Sequence, residues 1–183
     1  MKVLKDRGVL EVQQGRGTFL APRTRWTDLS TVIALTMRES SPRDAGLRLV
    51  ELRRMIEVGA AGLAARNRTD EDLEALESLL ERIDEAAAAG DVEANVDADL
   101  DFHRRILLAS ANPFMPVVLA PLAQALHESR FVTASQPEVR RRAQDHHRAI
   151  LDAIRSKDEE AAKDAMRSHM TQTRLDLLAN TAE

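Results

Sequence analysis

Cysteine is absent from the 183 residues, so disulfides and thiolate metal sites are excluded. Any metal this chain holds must be bound through histidine and carboxylate. Tyrosine is absent too, and with four phenylalanines and one tryptophan the aromatics make up only 3% of the residues. A core built without them must be aliphatic, and the abundance of alanine and leucine suits helices. No apolar run approaches the ~20 residues of a membrane span. The charged N-terminus (Lys2, Lys5, Asp6, Arg7) lacks the apolar centre of a signal peptide. The expected setting is the cytoplasm, with no membrane partner. No short internal repeat appears, and no low-complexity linker beyond the alanines at 86–89.

What is present fits one good-sized domain with a small appendage: 44% hydrophobic and 31% charged residues. The formal charge of −4 is unevenly spread, because residues 1–25 carry six basic and two acidic groups, leaving −8 for the remainder. A small basic end on an acidic body confines any contact with a polyanion to that end.

The segment Val9–Pro22, "VLEVQQGRGTFLAP", contains two β-type runs, Val9–Gln13 and Thr18–Leu20, around the turn Gln14–Gly17. This is hairpin chemistry. Gly8 before it has the character of a helix C-cap. Everything after Pro22 reads helical: a short segment Thr27–Met37, then helices over about Asp44–Ala65, Thr69–Gly90, Val92–Ala111, Met115–Arg130, Ser135–Arg155 and Ser156–Ala179. Thr69 and Asp72 have the spacing of a capping box. The expected architecture is all-α, an antiparallel bundle of about six helices with an N-terminal β-hairpin. Its expected divisions are 1–22, a linker with a short helix at 23–43, and the bundle at 44–180.

Five histidines are distributed over the bundle. Asp99 and His103 are four residues apart and share a helical face with Phe102 and Ile106 alongside. His147 belongs to the stripe Ala143, Ile150, Leu151, Ile154, and His169 to Ala162, Ala165, Met166, Thr173, Leu177. Three helices therefore turn three imidazoles and one carboxylate inward. Each group alone reads as a hydrogen-bonded core residue, and the Asp99–His103 pair as a helical ion pair. Together they read equally as the ligand set of a divalent metal. His127 and His146 stay outside this set, His146 being rotated about 100° from its neighbour. At the hairpin, Gly15, Arg16 and Gly17 form either a solvated tip or a turn that lays an arginine against phosphate or into a minor groove.

"LKDRGVLEVQQGRGTFLAP" (residues 4–22) resembles the end of the winged helix-turn-helix of GntR-family transcription regulators. The body resembles the FCD effector-binding domain of the FadR subfamily. "ELRRMIE" (Glu51–Glu57) is similar to its opening signature, "DLDFHRRILLASAN" (Asp99–Asn112) to its Asp-x-x-Phe-His motif and Asn stop, and "DHHRAILDAI" (Asp145–Ile154) and "AMRSHM" (Ala165–Met170) to its later histidine motifs. Ala111 stands where the family usually has glycine.

The resemblance places metal ligands on Asp99, His103, His147 and His169, with zinc first and nickel or manganese as alternatives. It implies a ligand-responsive, non-enzymatic regulator, usually a homodimer, whose bundle takes a metal and a small carboxylate effector. Effector binding would act on operator binding by the winged helix through the linker around Thr24–Met37. Arg53, beside Leu49, Ile56 and Ala60, either reaches the effector or pairs with Glu57 one turn on. The first two helices of the winged helix and most of its recognition helix are expected to be missing here, so DNA binding by this chain is expected to be weak or absent. A metal-dependent hydrolase or oxygenase on a helical bundle, with Asp101 near the motif, is the competing class.

Overall fold

A computed structural model describes residues 2–181. The chain divides into two compact units, one ending at Ser40 and one starting at Ser41.

In the first unit, helix α1 (Lys2–Asp6) leads through Gly8 into strands β1 (Leu10–Gln13) and β2 (Gly17–Leu20). The strands pair antiparallel, Leu10 with Leu20 and Gln13 with Gly17, giving the expected hairpin. Gly8 has φ +70°, and a Cβ there would lie 2.2 Å from the carbonyl oxygen of Arg25, so only glycine fits. The Trp26 indole Nε1 donates to the Ala21 carbonyl at 2.9 Å, and helix α2 (Leu29–Glu39) is capped by the Asp28 side chain.

The second unit is a helical bundle. Helix α3 (Pro42–Asn67) has Ser41 as N-cap and Pro42 in its first turn, where a missing N–H costs nothing. Helix α4 (Asp70–Ala89) opens on the Thr69–Asp72 capping box and closes at Gly90 in the left-handed region. Helices α5 (Val92–Ala109), α8 (Pro137–Arg155) and α9 (Glu159–Asn180) complete the frame. Packing of α3 on α9 and α5, of α4 on α5 and α8, and of α8 on α9 encloses one aliphatic core. Leu76, Ile83, Phe102, Ile106, Ile150, Ile154 and Met166 form its centre.

One expected helix is broken. Met115–Arg130 is instead α6 (Phe114–Leu119), a single 3₁₀ turn over Ala120–Leu122, and α7 (Ala123–Ala134). Pro121 is the cause: it lacks the N–H of an interior helical residue and its ring crowds the carbonyl four residues back. Ala111 also departs from the ordinary. At φ +58° it occupies the left-handed conformation that closes α5, the position where the resembled family carries glycine.

Candidate metal centre

The three inward imidazoles meet. One ring nitrogen from each of His103 (α5), His147 (α8) and His169 (α9) can be chosen so that all lie within 4.8 Å of one another. Ring centroids are 5.0 Å apart for His103 and His169, 5.3 Å for His103 and His147, and 4.7 Å for His147 and His169. The apolar stripes fix this convergence. Phe102 and Ile106 anchor α5, Ile150, Leu151 and Ile154 anchor α8, and Met166 and Met170 anchor α9, all buried. With the registers so fixed, each histidine on the same stripe has no outward option.

Two residues outside the histidine pattern determine which nitrogens face inward. Gln144, one turn before His147, donates its Nε2 to the Leu80 carbonyl at 2.9 Å. Its Oε1 therefore faces His147 Nδ1 at 3.2 Å and must accept from it, so the Nε2 of His147 keeps its lone pair. Glu57 Oε2 lies 2.7 Å from His103 Nδ1, the relation of a carboxylate that orients a metal-binding histidine from behind. His103 Nε2, His147 Nε2 and both ring nitrogens of His169 are buried with no hydrogen-bond partner among the described residues.

Asp99 sits at the rim. Its Oδ1 is 3.1 Å from His147 Nε2, and its other oxygen contacts the guanidinium of Arg130 from α7. A neutral imidazole lone pair facing a carboxylate at that distance is repulsive unless a cation is shared between them. The residues fit a divalent metal on this count: converging lone pairs, a carboxylate beside them, and buried nitrogens that nothing in the protein satisfies.

Electrostatics favour the neutral ligand form. Burial pushes His147 and His169 well below the usual histidine range, and the neighbouring imidazoles and arginines push the same way. Burial lowers His103 too, but the Glu57 carboxylate draws it partly back. For Glu57, burial alone would raise the carboxyl; Arg53 and then His103 overcome it and hold the group far below the carboxylate range. Burial lowers Arg130 well below its normal value, and nearby Arg53 adds to this.

Arg53 is buried and donates to Glu57 through Nε at 2.6 Å and Nη2 at 3.2 Å, so the pairing one turn on is realised. The same arginine, with Glu57 and His103, borders a cavity of about 500 Å³ walled by Leu107, Leu119 and Leu126. Asp101 is exposed on that cavity's wall, 3.6 Å from Arg82, and does not approach the imidazoles as hydrogen-bonding distance requires. A second cavity of about 50 Å³ is lined by Asp99, Arg130, Thr133 and His169.

His127 stands apart, half-buried and 3.2 Å from Glu93, and His146 reaches only the outer side of His169, with centroids 5.8 Å apart. Gly15, Arg16 and Gly17 form an exposed hairpin tip, with both glycines at positive φ. The basic charge of the first unit is offset more than its sequence count suggests. Arg7 pairs with Asp28, Arg23 with Glu39 and Arg25 with Glu11.

Glu57, Gln144 and Arg130 are the residues that pattern reading did not select for the site. Gln144 was legible in principle, three residues before His147 on one face. Arg130 was not: it lies beyond the Pro121 break, on a helix whose register the sequence does not declare.

The FCD domain family matches residues 48–172. The galactonate operon transcriptional repressor of Escherichia coli is 30% identical over 171 residues, covering 88% of this chain and 71% of that one. The regulator LutR of Bacillus subtilis is 30% identical over 179 residues, covering 93% and 78% respectively. Among solved structures, a GntR protein of Streptococcus agalactiae superposes with a TM-score of 0.66 at 30% identity, covering 95% of this chain and 78% of that one.

Proposed function

This chain belongs to the GntR family of transcription regulators and carries its FCD effector-binding domain, and from that premise we propose that Asp99, His103, His147 and His169 hold one divalent metal, zinc first. The observation that supports this most directly is the set of buried imidazole nitrogens without partners, two of them on rings whose opposite nitrogen faces Glu57 or Gln144. When bound, the metal supplies a cation in a low-dielectric site, where it attracts a small carboxylate far more strongly than it would in water. Glu57 and Gln144 hold the rings in position, and Arg53 lends positive charge to the wall of the larger cavity. The bundle is then the sensing half of a non-enzymatic, cytoplasmic regulator of the FadR subfamily that works as a homodimer.

The hairpin tip is the element that meets DNA, with Gly15 and Gly17 letting the backbone of Arg16 approach phosphate. With Arg7, Arg23 and Arg25 already paired, few free cations remain there. Binding by this chain is weak, blind to sequence and steeply lost with salt.

Elemental analysis of purified protein tests the metal. One equivalent is expected in the wild type and none in a His147→Ala/His169→Ala double variant; equal content in both removes the assignment. Mobility-shift titration at fixed salt tests the DNA contact, and a sub-micromolar, sequence-specific complex refutes it.

A further inference from the structure

Residues 106–126 include no Asp, Glu, Lys, Arg or His, the longest such run in a chain of which 31% is charged. Three of the six prolines, Pro113, Pro116 and Pro121, fall inside it. The run covers the end of α5, all of α6 and the first turn of α7. Its inner side is accounted for: Pro116, Leu119, Ala120 and Ala123 wall the larger cavity, and α6 packs on α5. Its outer side is not. Phe114 is 75% exposed, Val117 67% and Val118 44%, and their i, i+3, i+4 spacing puts them on one face of α6. Pro113 before them and Pro121 after them are exposed as well. Together these side chains present roughly 500 Å² of apolar surface, the size at which an exposed patch marks an interaction site.

The charge pattern selects what covers it. A lipid surface calls for Lys or Arg around an apolar centre, and nucleic acid calls for them outright; this run has neither. A second copy of the chain imposes the opposite condition. Around a two-fold axis a patch meets itself, so any charged group near the axis faces its own duplicate. Two bodies that each carry −8 also repel one another over most of their surfaces. An uncharged face lets them approach without that penalty. The size agrees, because a polar rim around such a patch brings it to the ~800 Å² per partner that a stable dimer buries. The prolines hold the segment in shape before it docks and so lower the ordering cost of association.

We propose that the outer face of α6, centred on Phe114, Val117 and Val118, is the surface through which two copies of this chain associate. The choice of partner rests on the homodimer reading given above; the face does not follow from that reading and is the new element. Val117, in the middle of the trio, is placed nearest the axis, where each copy meets the same residue of the other. Met55 provides the contrast. It is 73% exposed on α3, almost as much as Phe114, but Arg54 adjoins it and Glu51 precedes it by one turn. A lone apolar side chain among charges is ordinary surface.

Sedimentation velocity on the full chain, from the low to the high micromolar range, tests the face. The wild type is expected to sediment as a dimer. Val117→Glu is expected to sediment as a monomer, its dimer Kd raised at least about a hundredfold because two unpaired carboxylates meet at the axis. Met55→Glu is expected to remain a dimer, and helical content by circular dichroism stays unchanged in both variants. Should Val117→Glu fail to fold, a cysteine decides. The chain has none of its own, so Val117→Cys introduces a single thiol. Diamide should convert that variant to a covalent dimer on a non-reducing gel and leave Met55→Cys uncrosslinked. A wild-type dimer that Val117→Glu leaves intact, or that Met55→Glu dissociates equally, overturns the face while leaving the homodimer reading standing; so does a Val117→Cys that does not cross-link where the cysteine decides. A wild type that stays monomeric overturns both. Co-sedimentation of the wild type with phosphatidylcholine vesicles, lost in Val117→Glu, would assign the face to lipid and overturn the proposal.

Discussion

The imidazole cluster has two flanks, and each presents an arginine to it, Arg53 buried and Arg130 only partly so. On the α3 flank, Arg53, Glu57 and His103 form a closed chain in which each group meets the next: guanidinium to carboxylate to ring nitrogen. On the α7 flank, Arg130, Asp99 and His147 repeat the same order of groups, yet Arg130 keeps two donors unpaired and the carboxylate faces a lone pair. The chemistry is nearly identical and the bookkeeping is not. A closed chain of this kind stabilises a fold and resists change.

Removing the carboxylate from the α3 flank probes this contrast most strongly. Glu57→Ala leaves Arg53 buried without a counter-ion, and a loss of about 3–5 kcal/mol is expected in urea denaturation, with little recovery on adding zinc. If zinc restores Glu57→Ala fully, the α3 flank is no more closed than its counterpart.

A smaller effect is expected at Gln144, which acts on the α7 flank through His147. Gln144→Leu keeps the volume but frees the ring to turn, and zinc affinity should fall about 10- to 100-fold, with helical content by circular dichroism unchanged. Unaltered affinity would mean that packing alone orients the ring.

Next in size is the response to acid. His147 and His169 have folded-state values below their unfolded ones, so below about pH 6.5 the unfolded chain binds protons that the folded chain refuses. Stability of the metal-free protein is therefore full above that pH and falls as pH drops, by up to about 1.4 kcal/mol per pH unit for each ring. His103, drawn partly back by Glu57, contributes less, which is again the closed flank resisting. Denaturation midpoints at pH 7.5, 6.5 and 5.5 measure the slope; a flat profile would mean the rings are protonated in the fold.

The smallest effect serves as a control outside both flanks. Ala111→Gly relieves a left-handed alanine at the end of α5 and should stabilise by about 0.5–1 kcal/mol, with zinc affinity untouched.

Much of this was legible in the sequence for a specific reason. Periodicity says which face of a helix is buried, and Asp99, His103, His147 and His169 lie on such faces. Caps are local, so Thr69–Asp72 and the hairpin glycines declared themselves. Pro121 was equally visible, and its neglect joined α6 and α7 into one helix. What periodicity does not report is which buried faces meet. The partnership of Arg130 with Asp99 crosses 31 positions of chain and a proline break, so nothing local announces it. Glu57 lay within reach as the i+4 partner of Arg53, but its contact with His103 depends on how α3 and α5 pack.

The indole of Trp26, tied to Ala21 within the first unit, has one more consequence. With no tyrosine anywhere and no second tryptophan, this ring is the chain's only useful intrinsic fluorophore, and it belongs to the unit that contains none of the proposed metal ligands. The helical unit is optically dark at 295 nm excitation. Any change in emission wavelength or anisotropy on adding zinc is therefore reported by Trp26 alone. It reads the hairpin unit without a label.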